Sequence, residues 1–200
     1  MTPKQPRGEA TAEHLLTTAL KVYASAGQQG FTVNAVTAAG GVSLGSLYHH
    51  FGSFDGLAAA LYTRCMDRLF DAMADAVRRT RTARTGVQAM VRAYLRFTEE
   101  HRDAALFLHA SAYSGYLAAH AAQVHSAKLD KLAPLTGRLR EYAERGEIAP
   151  LPASLVETLI MGPVAEAARR HLSGAHDFDL DRAMRLLPER IWRSLAPDGT

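Results

Sequence analysis

Nine histidines and a single cysteine, Cys65, are the residues of this 200-residue chain best suited to hold a metal. Their spacing does not suit one. There is no His-Glu-x-x-His, no Cys/His pair at ligand spacing, and His49 and His50 point to different faces of any helix that contains them. A lone cysteine forms no internal disulfide and reads as a small buried hydrophobe. Nucleophilic chemistry fares no better, because there is no Gly-x-Ser-x-Gly elbow and no strand to hold one. The run Gly40-Gly41-Val42-Ser43-Leu44-Gly45-Ser46 invites comparison with phosphate-cradling loops, yet its glycine spacing fits neither the dinucleotide nor the Walker pattern, and no strand precedes it. No catalytic residue, metal or cofactor is therefore assigned, and the chain reads as a non-enzyme.

The same run has a different logic when the elements around it are considered. Leu16, Ala19, Leu20 and Tyr23 recur at three- and four-residue spacing, one apolar stripe of a first helix that ends near Gly27 and Gly30. Phe31 follows as a core plug, Thr32 as an N-cap, and Val33 to Ala39 as a short second helix. Gly41 falls at the turn, where positive φ is cheap only for Gly or Asn. Ser43 caps a third helix, Leu44 to His50, and Ser53 caps a long fourth carrying Leu57, Leu61, Cys65, Leu69 and Met73 at four-residue spacing. Val36, Gly40, Val42 and Leu47 supply the small core between the two short helices, and Ser43, Gly45 and Ser46 let the start of the third approach a groove floor or phosphates. A helix this short is unstable alone, so the first and fourth must support it.

Beyond this region strand signals are nearly absent, and helices are expected at about 85–101, 103–114, 117–145, 153–173 and 180–196, with Gly115, Gly146, Pro150, Pro152, Gly174 and Asp177 marking the loops. The reading is all-α, about nine helices: a three-helix helix-turn-helix domain over 1–52 and a helical bundle over 53–200. Apolar residues at 48% and charged residues at 22% describe a chain that buries a real core. No stretch approaches the ~20 apolar residues of a membrane span, and Met1 to Glu13 lacks the apolar heart of a signal peptide, so a soluble, cytoplasmic protein with no membrane partner is expected. Net charge is +3, but residues 1–56 balance Lys4, Arg7 and Lys21 against Glu9, Glu13 and Asp55. Contacts to a polyanion would then be mostly hydroxyls, histidines and backbone amides, with a shallow salt dependence.

Gly41-Val42-Ser43, then Leu47-Tyr48-His49-His50-Phe51, then Ser53 and Leu57, resemble the DNA-binding region of the tetracycline-repressor (TetR) family over residues 12 to 62. Met161-Gly162-Pro163 within an apolar helix is a weaker family likeness. The resemblance implies base-edge positions at Asn34, Ser43, Leu44, Gly45 and Ser46, and phosphate positions at Thr32, Tyr48, His49 and His50. Chemistry agrees in part: Asn pairs with adenine in the major groove, and Leu44 offers apolar contact such as to a thymine methyl. Two departures stand out, Phe54 where the family commonly has a phosphate-binding Lys, and Thr37 in place of a small Ala.

Tyr94, Phe97, His101, Phe107, His109, Tyr113, Tyr116, His120 and His125 form a dense aromatic and imidazole set. Most read as core. With the resemblance, Phe97, His101, Phe107, Tyr113 and Met161 are expected to line a pocket for an aromatic or lipophilic effector. The resemblance also implies that the last two helices form a homodimer interface through Leu155, Leu159, Leu172, Leu187, Ile191 and Trp192. The function so implied is a repressor that binds a palindromic double-stranded DNA operator as a dimer and is released by a small ligand. The alternative is a helical ligand- or protein-binding module with a weak DNA-binding domain.

Overall fold

Local capping and glycine chemistry set the N-terminal helices of the computed structural model, which describes residues 6–111 and 115–197. Helix α1, Pro6–Gly30, is interrupted at Gly27, where φ is 64°. Helix α2, Val33–Gly40, starts at Thr32, whose side chain accepts from the Ala35 amide, and stops at Gly41 in the left-handed region at φ 60°, ψ 30°. Helix α3, Leu44–Phe51, starts at Ser43, whose hydroxyl accepts from the Ser46 amide at 3.1 Å. Helix α4, Phe54–Arg78, follows a third such cap, with Ser53 Oγ accepting from the Gly56 amide at 2.9 Å. Each cap satisfies a backbone donor that a helix start leaves unpaired.

The remaining elements are α5 (Ala83–Glu100), α6 (Arg102–Ser111), the four-residue α7 (Gly115–Ala118), α8 (Ala121–Glu144), α9 (Ala153–Leu172) and α10 (Leu180–Arg193). No strand occurs among the described residues, so the fold is all-α. Prolines 134, 163 and 188 lie inside α8, α9 and α10. Each removes one backbone donor from its helix, and packing must carry what the ladder loses.

The chain divides into two compact units, Met1–Met66 with Leu106–Ala127, and Asp67–Ala105 with Lys128–Thr200. In the first, Leu15, Ala19, Val36, Leu47, Leu57 and Leu61 are buried to within a few per cent, and Cys65 is buried with them. An aromatic cluster completes this core: Tyr23 stands edge-on to Phe31 at 5.3 Å and to Phe107 at 4.8 Å. Such pairs add ~0.5–1.5 kcal/mol beyond their burial.

The second unit packs α5 against α9 and α10 through Val91, Leu95, Ile160, Val164 and Ile191, all buried. Tyr142 is fully enclosed beside them. Its hydroxyl meets Thr80 Oγ1 at 3.1 Å and accepts from Arg138 Nε at 3.2 Å, while the guanidinium groups of Arg138 and Arg145 lie over its ring. A buried phenol satisfied in this way avoids the penalty of an unpaired polar atom. Tyr142 also fills the space beside Gly86, where a methyl group would sit 2.5 Å from its hydroxyl.

Candidate nucleic-acid interface and ligand cavity

Helices α2 and α3 meet over Val36 and Leu47, both fully buried, and this pair of anchors decides which side chains remain outside. Thr32, Asn34, Ser43, Leu44, Gly45, Tyr48 and His49 are exposed, and Ser46 and His50 are half-buried. The first unit thus brings all nine expected DNA-contacting residues onto the two short helices and their caps. Leu44 and Tyr48 are 45% and 44% exposed. They sit four residues apart, one turn along α3, so an apolar pair stands on the open side of a helix whose other side is core. The rings of His49 and His50 lie 5.2 Å apart beside it.

Two supports for this pair come from far away in sequence. His14 Nε2 lies 3.0 Å from the carbonyl of Gly40, so α1 satisfies the last turn of α2. Arg64 of α4 pairs with Glu13 and donates to Thr17 Oγ1 at 3.2 Å, fastening α4 to α1. Neither contact has a local sequence signal. A third constraint is Gly56, where a Cβ would stand 2.1 Å from the Phe51 carbonyl oxygen, so α4 begins against the end of α3 only because that residue has no side chain. Phe54, in place of a phosphate-binding lysine, is half-buried with its ring 4.9 Å from Phe31. It serves the aromatic core. Thr37 bonds back to the carbonyls of Val33 and Asn34, which removes its hydroxyl from the helix crossing.

Within the second unit, the expected ligand residues Phe97 and His101 do not share a cavity with Met161. Phe107 is fully buried in the first unit. Phe97 and His101, with ring centroids 4.9 Å apart, border a polar cleft of about 190 Å³ that also includes Asp75, Arg79, Arg96 and Glu100. Met161 lines a different cavity of about 350 Å³, walled by Met73, Met90, Leu135, Leu139 and Ile160. Tyr113 lies outside the described residues. This apolar cavity belongs wholly to the second unit, between α4, α5, α8 and α9. Its volume falls in the range of small-molecule sites.

Of the expected dimer residues, Leu172 and Ile191 are buried inside the chain, Leu155 is 41% exposed, and Leu159, Leu187 and Trp192 are half-buried. Leu186, 49% exposed, adds to the open apolar surface of α10. Among the ionisable groups, Glu166 on α9 is held at about 2 by hydrogen bonds from Arg169 and Arg170. Burial pushes the Asp67 carboxyl up against the attraction of Lys131, and its Oδ1 is buried without a hydrogen-bond partner. No group of three or more His, Cys, Asp or Glu suited to a metal occurs among the described residues, and no helix there is long and apolar enough to cross a membrane.

Residues 15–61 match the family model for bacterial regulatory proteins of the tetR family. No curated protein matches the chain. Solved structures do. A TetR family transcription regulator from Marinobacter aquaeolei VT8 superposes with a TM-score of 0.78 at 20% identity, covering 95% of this chain and 97% of its own. A TetR-like transcriptional regulator from Rhodococcus sp. RHA1 gives 0.68 at 25% identity, over 96% and 98%. The transcriptional regulator FadR from Bacillus subtilis, solved in complex with stearoyl-CoA, gives 0.74 at 18% identity, over 90% and 96%.

Proposed function

We propose that this chain, which belongs to the tetR family of bacterial regulatory proteins and is a DNA-binding transcriptional regulator, acts as a repressor. In this reading a homodimer grips a palindromic operator and a small lipophilic or aromatic molecule releases it. The observation that carries the DNA-binding face is the capped α3, with Leu44 and Tyr48 outward while Leu47 anchors the core. Small residues at its start, Ser43, Gly45 and Ser46, allow the backbone close to the groove, and Asn34 supplies the paired donor and acceptor that adenine recognises.

Two copies would set their α3 helices about one DNA turn apart, ~34 Å. The exposed Leu155 and Leu186 and the half-buried Leu159 and Trp192 on α9 and α10 favour a partner of the same kind, since a two-fold interface is self-complementary. Helix α4 contributes residues to both units and is the lever in this account. A ligand that favours a spacing unfit for DNA by ~1–3 kcal/mol gives a typical allosteric coupling. The stearoyl-CoA held by the Bacillus subtilis protein of the same fold supports a ligand with a large apolar part. No turnover of that ligand is part of this function, and the protein acts in the cytoplasm.

Selection of bound fragments from random double-stranded DNA tests the reading. Enrichment of a palindrome with half-site centres one turn apart is expected, whereas recovery of unrelated sequences would overturn it. Light scattering at low micromolar concentration is expected to give a dimer mass, and a monomer alone would defeat the two-fold arrangement.

A further inference from the structure

Taking the 350 Å³ cavity of the second unit as the place where a released regulator holds its effector, we infer that it selects an uncharged lipophile of roughly a dozen non-hydrogen atoms carrying a hydrogen-bonding group. The inference rests on the ligand-sensing role proposed above and names its ligand class. At ~30 Å³ for each water-sized group, a 350 Å³ space admits about that many atoms.

The walls argue for an apolar body. Met73, Met90 and Met161 reach the cavity from α4, α5 and α9, and Leu135, Leu139 and Ile160 close the spaces between them. Thioether side chains are unbranched and adaptable, so three of them tolerate variation in ligand shape.

The polar groups argue for a neutral head. Arg140 and Glu157 are the charged residues lining the cavity, they are opposite in sign, and neither pairs with another described residue. Both are exposed, so their charged ends stay in water and neither offers a desolvated counter-charge. An ionic head would therefore surrender hydration without a buried partner to replace it. Two hydroxyls suit a neutral group. That of Thr136 already bonds the carbonyls of Leu132 and Ala133 at 3.2 Å, leaving it to accept, and that of Ser154 lies at the start of α9.

Calorimetric titration of the full chain with 1-decanol below its solubility limit, and with decanoate and decylammonium below their micelle-forming concentrations, tests this. Decanol is expected to saturate one site per chain and to bind at least tenfold tighter than either ion. It should also bind about fifteenfold tighter than 1-octanol, since each buried methylene contributes about fourfold in affinity. Ala143→Trp and, independently, Thr136→Trp place an indole in the wall from exposed positions on α8. Each is expected to abolish decanol binding while circular dichroism stays unchanged. Equal or tighter binding of an ion would overturn the neutral class, wild-type binding by both tryptophan variants would overturn the location, and no binding by any probe would overturn both. Operator binding by the same preparations separates the two readings: an operator bound without decanol sinks this inference alone, and decanol bound without an operator sinks the regulator alone.

Discussion

Ser43 carries two tasks that substitution can separate. Its hydroxyl accepts the Ser46 amide at 3.1 Å, capping an eight-residue helix too short to persist without support, and the residue also stands exposed on the face proposed to meet DNA. Ser43→Ala removes the cap, at a cost of ~1 kcal/mol. For a chain of this length that is a fall in Tm of about 2–4 °C. Ser43→Asp restores a side-chain acceptor at the same position, so its Tm should return to within about 1 °C of the parent. The same aspartate brings a negative charge to the phosphates and should weaken operator binding by at least about tenfold. The assay pairs thermal unfolding by circular dichroism with fluorescence anisotropy on a labelled operator. An aspartate variant as destabilised as the alanine variant would refute the cap, and one that binds the operator like the parent would refute the assignment of this face to DNA.

Further outcomes follow from individual side chains. Tyr48→Ala should leave Tm within about 1 °C, because the ring is exposed and surface changes are small, yet weaken operator binding by about tenfold or more; unchanged affinity would remove Tyr48 from the interface. Gly86→Ala should cost ~1–3 kcal/mol by overpacking against Tyr142, whose hydroxyl lies 2.5 Å from the added methyl, and urea unfolding with no shift in midpoint would contradict the contact. Asp67 has a folded-state pKa raised by burial, so its charge costs stability above that value and the cost disappears as pH falls below the unfolded value. The stability advantage of Asp67→Asn over the parent should therefore be largest near neutral pH and shrink toward pH 4; thermal scans in which the gap widens on acidification would reverse the sign.

What the sequence made legible was what acts within three or four residues. Thr32, Ser43 and Ser53 cap helices through bonds to backbone amides three positions on, and Gly41 adopts the left-handed turn that its place between two short helices requires. The exposure of the set on α2 and α3 follows for the same reason, because helical periodicity that turns Val36 and Leu47 inward turns their neighbours out. Contacts spanning the chain were not legible. Nothing in residues 13 and 14 announces that Glu13 meets Arg64 or that His14 bonds Gly40, and the need for glycine at 56 and 86 is set by Phe51 and by Tyr142, 56 positions downstream of the latter glycine.

The aromatic set between Tyr94 and His125 shows the same limit from the other side. Most of the set reads as core and the resemblance implies a pocket for a few of its members, but composition carries no distances. Phe107 belongs to the core with Tyr23 and Phe31, while the apolar cavity is built from methionines and leucines that no single motif connects. Dimer candidates divided by helix face: Ile191 and Leu172 point into the chain, and Leu155 does not.

Whether the protein regulates through DNA is decided by fluorescence anisotropy of the purified protein against the DNA flanking its own gene, at two salt concentrations. Saturable nanomolar binding to a palindrome is expected, weakened about tenfold or more by Tyr48→Ala, with a shallow salt dependence because few lysines or arginines are expected to reach the phosphates. Equal, steeply salt-sensitive affinity for any sequence, or no binding at all, would contradict it.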